Sequence, residues 1–220
     1  MTALARGAAR RLIGRPRVIY RAPGTPAAVA LTFDDGPSPW TLDIARALEH
    51  HGCRGTFFLL GEAVERNPAL VEALAAAGHE LGNHLWSHAD PERQSRSEIR
   101  AEIDRTAATI EAAAGAAPSL VRPPFCGAPR HVARAAGRRA KVIALRSVDP
   151  QDWATDSVDE IVQRVVTATG PGDVICLHDG IAPGNAGTGS RAPTAAAVAR
   201  LVPELLARDL RPVTMSDLLR

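Results

Sequence analysis

Cysteine is scarce in this sequence: its three copies, Cys53, Cys126 and Cys176, stand far apart and form no CxxC pair. An odd and sparse set supplies no disulfide framework, so these thiols read as small buried residues of a reducing compartment. No run of about eighteen or more apolar residues occurs, which excludes a membrane-spanning helix. A strong net charge is missing as well. The formal charge is +2, and no stripe of aromatic and basic residues accompanies it, so nucleic acid is not an expected partner. Basic residues do gather in RGAARRLIGRPRVIYR, but no continuous apolar stretch precedes Arg15 and Arg17, so the pattern is not that of a secretory signal. Residues 1–24 read as a basic, partly disordered segment, with weak contact to an anionic surface as the other reading. The expected location is the cytoplasm, with export of a longer precursor left open.

What the chain does have is apolar material for a core. Of its 220 residues 45% are hydrophobic and 23% charged, which fits one domain over residues 25–220 and argues against global disorder. AAVALTF, GTFFLLG, HELGNH, SLVRPPF, KVIALRSV, DVICLH and RPVTM read as seven strands. Helices are expected over WTLDIARALEHHG, ending on Gly52, and over NPALVEALAAAG, with Asn67 as N-cap and Gly78 as stop. In SRSEIRAEIDRTAATIEAAAG, Ser95 and Glu98 form a capping box, and Ser157 and Glu160 suggest a second. Pro203 interrupts the last helix. Continuous apolar strands separated by helices predict an α/β fold with a parallel sheet covered on both faces. With no eighth strand in the pattern, the expected form is a distorted, incomplete (β/α)7-type barrel.

In such folds functional groups gather at the carboxyl ends of the strands. There the sequence places Asp34 and Asp35, then Asn83, His84 and His88, then Arg122, then Asp149, Asp152 and Trp153, then His178 and Asp179. Adjacent acids at the end of a buried strand repel, and desolvation sharpens the repulsion. The pair in LTFDDGPSP is therefore either a solvated turn or one that a cation makes useful. HLWSH puts His84 and His88 at i and i+4, on one face if the segment is a helical turn. Alone, that spacing is common in core packing. With an acid from another strand end it makes a two-His, one-Asp set with open positions, which suits catalytic Zn²⁺ or another divalent transition metal. Structural zinc would take four ligands, usually with cysteine, and no cysteine is near this cluster in sequence. One acid would ligate while the other, kept ionised by the metal, takes a proton from bound water.

Arg122 reads either as a surface ion pair or as the residue that orients the non-ligating carboxylate. His178 is either an ordinary histidine or a general acid whose ring Asp152 holds and whose pKa it raises. Trp153 is core, or the wall of an apolar subsite. The loop GIAPGNAGTGSRA is expected to shape a substrate groove, with Arg191 a candidate contact for an anionic sugar substituent.

Five ordered motifs, TFDDGP, HLWSH, RPPF, DPQDW and LHDG, make the chain resemble the polysaccharide deacetylases of carbohydrate esterase family four, the NodB-like homology domain, from about Ala27 to Leu219. The resemblance implies a distorted (β/α) barrel that hydrolyses an N-acetyl, less often O-acetyl, group on a sugar. It implies one divalent metal ion, Zn²⁺ first and Co²⁺ or another transition metal otherwise, and an N-acetylated carbohydrate as partner. In that pattern Asp34 is the base, and Asp35, His84 and His88 are the metal ligands. Arg122 positions the base, Asp152 tunes the histidine, and His178 is the general acid. A backbone N–H near Phe125 serves the oxyanion, and Trp153 and Leu177 wall the pocket for the acetyl methyl.

Two positions depart from the pattern. Leu85 stands where Ser or Thr usually follows the first histidine, so a loop hydrogen bond is lost. Cys126 intervenes before Gly127 and brings a thiol and an altered turn beside the oxyanion donor. Other readings are a deacylase of a small or lipid-linked acetylated metabolite and a non-catalytic carbohydrate-binding relative; the presence of every catalytic residue opposes the second. A haloacid-dehalogenase-type phosphatase would need two acids separated by one residue, and here they are adjacent.

Overall fold

The apolar runs do form parallel strands. The computed structural model describes residues 16–22, 24, 27–184, 187 and 189–220. Its strands are β1 (Arg17–Ile19), β2 (Ala28–Asp34), β3 (Thr56–Leu59), β4 (Glu80–Asn83), β5 (Leu120–Val121), β6 (Val142–Ala144), β7 (Val174–His178) and β8 (Arg211–Val213). All pairings are parallel, in the order β1-β6-β5-β4-β3-β2-β7. β8 takes the start of β2 on the side away from β7, since Ala30 pairs with both Val174 and Val213. The sheet curls into a distorted, incomplete barrel. Its open side is narrowed by a single bridge between Val148 and Ile175.

The strand count corrects the sequence reading. Seven strands were expected, and β1 is an eighth within the segment set apart as residues 1–24. The Arg17 amide donates to the Lys141 carbonyl, the Leu145 amide to Ile19 and the Ala22 amide to Gly172. Three residues with one buried side chain, Ile19, are too few to show as an apolar run among arginines. The boundary at residue 25 therefore does not follow the sheet, and residues 1–15 of that segment lie outside the described residues.

The helices are α1 (Thr41–Glu49), α2 (Gly61–Arg66), α3 (Pro68–Ala76), α4 (Arg96–Ala114), α5 (Pro129–Ala136), α6 (Val158–Ala168), α7 (Ala192–Ala207) and α8 (Met215–Leu218). The Ser95–Glu98 box is formed in both directions. At α6 only half of the expected box exists: Ser157 accepts from the Glu160 amide, while the Glu160 carboxylate turns to Thr155. Asn67 stands at the N-cap of α3 without a side-chain cap bond, its amide donating back to Ala63. Pro203 does not interrupt α7. It and Ala199, whose carbonyl loses its partner, are both exposed, so water can replace the bond.

Strand alternation sorts side chains between two layers. Val29, Leu31 and Phe33 of β2 and Ile175 and Leu177 of β7 join Ile44, Leu48, Ile161 and Leu201 in the core between sheet and helices. Ala30 and Val174 pack inside the curl against Met215 and Leu218, so α8 plugs its lower end. Further along the same inner face come Thr32 and Cys176 and then Asp34 and His178, each pair level in register. Among the described residues no helix is long and apolar enough to cross a membrane. Leu201→Ala, a truncation in the main core, is expected to lower unfolding free energy by about 2–5 kcal/mol in urea denaturation.

Candidate active site

The two strand-end acids meet different partners. Asp34 is buried, and its Oδ1 accepts from Arg122 Nη1 at 2.7 Å. Arg122 is fully buried rather than a surface ion-pair residue. Its Nη1 also donates to Thr32 Oγ1 at 2.8 Å, its Nε to Ala144 and its Nη2 to Leu145. The guanidinium carbon lies 4.1 Å from the centre of the Phe58 ring. Burial alone would raise the Asp34 pKa; Arg122, His84 and His178 outweigh it and hold the carboxyl at about 2. The Cys176 thiol donates to Asp34 Oδ2 at 3.3 Å.

Asp35, with φ of 75°, turns the other way. Its Oδ1 is 3.4 Å from His84 Nε2 and 3.4 Å from His88 Nε2, and it has no hydrogen-bond partner although buried. His84 Nδ1 lies 2.8 Å from the Arg122 carbonyl, which can only accept. That bond places the ring proton on Nδ1 and leaves the Nε2 lone pair facing Asp35. Burial works against a charged His84, but Asp34 and Asp35 outweigh it and raise its pKa. Burial and His84 hold His88 down at about 4. Two donors each about 2.0–2.1 Å from one tetrahedral ion stand about 3.3–3.4 Å apart. The orphaned oxygen and the two imidazole nitrogens therefore fit a divalent ion, with Zn²⁺ suited to this donor set.

The histidines do not converge through a helical turn. Residues 84–88 are irregular, with left-handed φ at Leu85 (65°) and His88 (61°). Side chains hold the loop instead. Asn83 Oδ1 accepts from the Leu85 amide, and Glu102 of α4 accepts from the Trp86 and Ser87 amides and the Ser87 hydroxyl. Leu85, where a hydroxyl was expected to be missed, is fully buried among Ile99, Ile103 and Val121.

Across the cavity His178 Nδ1 lies 2.8 Å from Asp152 Oδ1. Asp152 Oδ2 accepts from the His178 amide at 2.9 Å and Thr194 Oγ1 at 2.8 Å. Burial would lower the His178 pKa; the Asp152 charge and hydrogen bond raise it to about 9. Asp34, Asp35, His84, His88, Phe125, Trp153 and His178 all line one cavity of about 410 Å³. Leu177 does not: as the residue between Cys176 and His178 on β7 it points to the outer core. Cys176 lines the cavity in its place, and Cys126 lines it too, while the Asp35, His84 and His88 ligand set contains no cysteine.

Phe125 is exposed at the rim, its ring 4.7 Å from that of His88. The Cys126 and Gly127 amides donate to Pro123 and Pro124, and the Phe125 amide takes no part in these turn bonds. Arg191 is fully buried, with Nε on the Gly180 carbonyl, so it supports the loop and presents no charge to a substrate.

Asp34, Cys176 and His178 also bring ligand atoms within 4.8 Å of one another. Arg122 Nη1, 2.7 Å from Asp34 and 3.6 Å from Cys176, already fills the place of a cation there. Burial, then the Asp34 charge, raise the Cys176 pKa, so the thiol stays a neutral donor. Sequence reasoning missed Thr32, Cys176, Thr194 and Glu102. The even spacing of Thr32, Asp34, Cys176 and His178 on paired strands was the available signal for the first two.

In metal-free protein, Arg122→Met is expected to raise the Asp34 pKa, read by carboxyl NMR titration, and to lower stability by about 3–5 kcal/mol by leaving a buried charge uncompensated.

A family profile described as polysaccharide deacetylase matches residues 21–141. A peptidoglycan-N-acetylglucosamine deacetylase of Bacillus cereus is 35% identical over 210 residues, covering 92% of this chain and 93% of the relative. A chitooligosaccharide deacetylase of Bradyrhizobium is 36% identical, covering 82% of this chain and 85% of the relative. The crystal structure of the Bc1960 peptidoglycan N-acetylglucosamine deacetylase superposes with a TM-score of 0.84 at 32% identity, over 96% of this chain and 95% of that one. With this site on this barrel, the chain belongs to the polysaccharide deacetylase family.

Proposed function

We propose that the cavity hydrolyses the acetamido group of an N-acetylated sugar, releasing acetate and the free amine. The observation that carries this reading is the partnerless Asp35 Oδ1 facing His84 and His88, beside an Arg122-bound Asp34 and an Asp152-bound His178. Asp35, His84 and His88 would hold the divalent ion. When bound, it supplies Lewis acidity, polarising the acetyl carbonyl and making water acidic enough to attack.

The chain's own groups then divide the work. Asp34, ionised at any working pH, accepts the proton of the attacking water on Oδ2, the oxygen Arg122 leaves open. Its low proton affinity lets it hand that proton on readily, so its fixed position matters more than its strength. The Phe125 amide is the donor for the oxyanion as the oxygen–carbon bond forms. His178 keeps Nδ1 on Asp152, so Nε2 is the atom that protonates the nitrogen as the carbon–nitrogen bond breaks. Trp153 walls the side that receives the acetyl methyl, without Leu177.

Peptidoglycan and chitooligosaccharides, the substrates of the relatives, are the first sugars to test. Three free thiols, two of them on the cavity wall, support a reducing, cytoplasmic location for the protein; fractionation that finds it outside the cell would overturn that reading.

Chelation is expected to abolish acetate release, and Zn²⁺ or Co²⁺ to restore it. Asp34→Asn in metal-restored protein should lose roughly 10²–10⁴-fold in kcat; full activity in either case rules out the mechanism. His178 acts protonated, so the rate should fall as pH rises through about 9. Asp152→Asn removes the group that raises this pKa, so the alkaline limb should move down toward the 6.5 of an ordinary imidazole. An unmoved limb would assign the acid elsewhere.

A further inference from the structure

We propose that Arg146 forms an anion subsite in the cavity and selects N-acetyl sugars that carry a carboxylate near the acetamido group; this rests on the deacetylase reading above. Arg146 follows β6 at the same rim as the other functional groups and lines the cavity with Phe125, Cys126 and Asp149. Its side chain is 30% exposed, open to a ligand yet well packed, and its Nε lies 2.9 Å from Asp149 Oδ2. That contact pins the plane of the guanidinium by one edge. Among the described residues no oxygen accepts from its two Nη groups. Cys126 lines the same wall, where burial raises its pKa, so the thiol stays neutral and is a weak acceptor.

What remains is the pair of Nη donors on the cavity wall, a fork able to bind a carboxylate through both oxygens. No other arginine of the site can do this. Arg122 has its donors on Thr32, Asp34, Ala144 and Leu145, and Arg191 is buried under the Gly180 carbonyl. His178 is committed to Asp152 through Nδ1. Asp149 contacts Nε and leaves both Nη groups open to a substrate carboxylate.

The test uses the full-length, metal-loaded protein and two matched disaccharides, diacetylchitobiose and its counterpart bearing a 3-O-lactyl carboxylate. Wild type is expected to favour the carboxylate-bearing sugar in kcat/KM. Arg146→Leu should lower that ratio by roughly tenfold or more, chiefly through KM. Arg146→Lys, which keeps the charge and loses the fork, should lie between. No preference in wild type, or an equal loss on both sugars in Arg146→Leu, overturns the proposal and leaves the deacetylase reading standing. Turnover of neither sugar counts against the deacetylase reading instead. The subsite is then read by calorimetric titration of the deacetylated, carboxylate-bearing disaccharide. Affinity roughly tenfold weaker in Arg146→Leu supports it, and equal affinity overturns it.

Discussion

Two neighbouring carboxylates at the end of a buried strand stay ionised only if positive charge is fixed against them, and in this protein one residue supplies that constraint twice. The Arg122 side chain takes Asp34, and the Arg122 carbonyl takes His84 Nδ1. The first bond sets which oxygen of the base is open. The second sets which nitrogen of a metal ligand is open. The guanidinium is itself held by carbonyls of two residues after β6 begins and by Thr32, so base, ligand and barrel wall share one set of hydrogen bonds. A group so thoroughly bonded has a single arrangement, which is what preorganisation demands.

The two sides of the cavity are charged in opposite ways. On one, Asp35 and the histidines hold an acceptor atom without a donor. On the other, Asp152 binds both the ring and the amide of His178. One side is short of positive charge, the other holds a proton tightly. A reaction that needs an electrophile at a carbonyl oxygen and an acid at the leaving nitrogen finds places for both in one cavity.

Much of this was legible because the chemistry sits at strand ends, and strand ends show in sequence as the places where apolar runs stop. Asp34, Asp35, His84, His88, Arg122, Asp152 and His178 were all read that way. The failures have physical reasons too. Leu177 was assigned to the cavity by the family resemblance, but as the strand neighbour of His178 it faces the opposite layer. Cys176 looked like core because an apolar strand surrounds it, yet it shares the inward face with His178. β1 was missed because three residues carry almost no pattern. The loop from His84 to His88 is built by Glu102, a helix residue whose reach back to two amides has no local signature. Arg191 looked like a surface charge because its loop is rich in glycine and polar residues, whereas its side chain folds under that loop.

The position of β2 has a consequence for how the chain acquires function. This strand ends in Asp34, with Asp35 directly after it, yet one flank is β7 and the other begins with β8. During synthesis the acids emerge before either of these neighbours, since β7 and β8 both follow β2 in the chain. Pairing over such separations closes large loops and is slow. Until then the carboxylates lack both the register partner of Asp34, His178, and the arginine that neutralises one of them. The acids therefore acquire their partners only through contacts between distant parts of the chain.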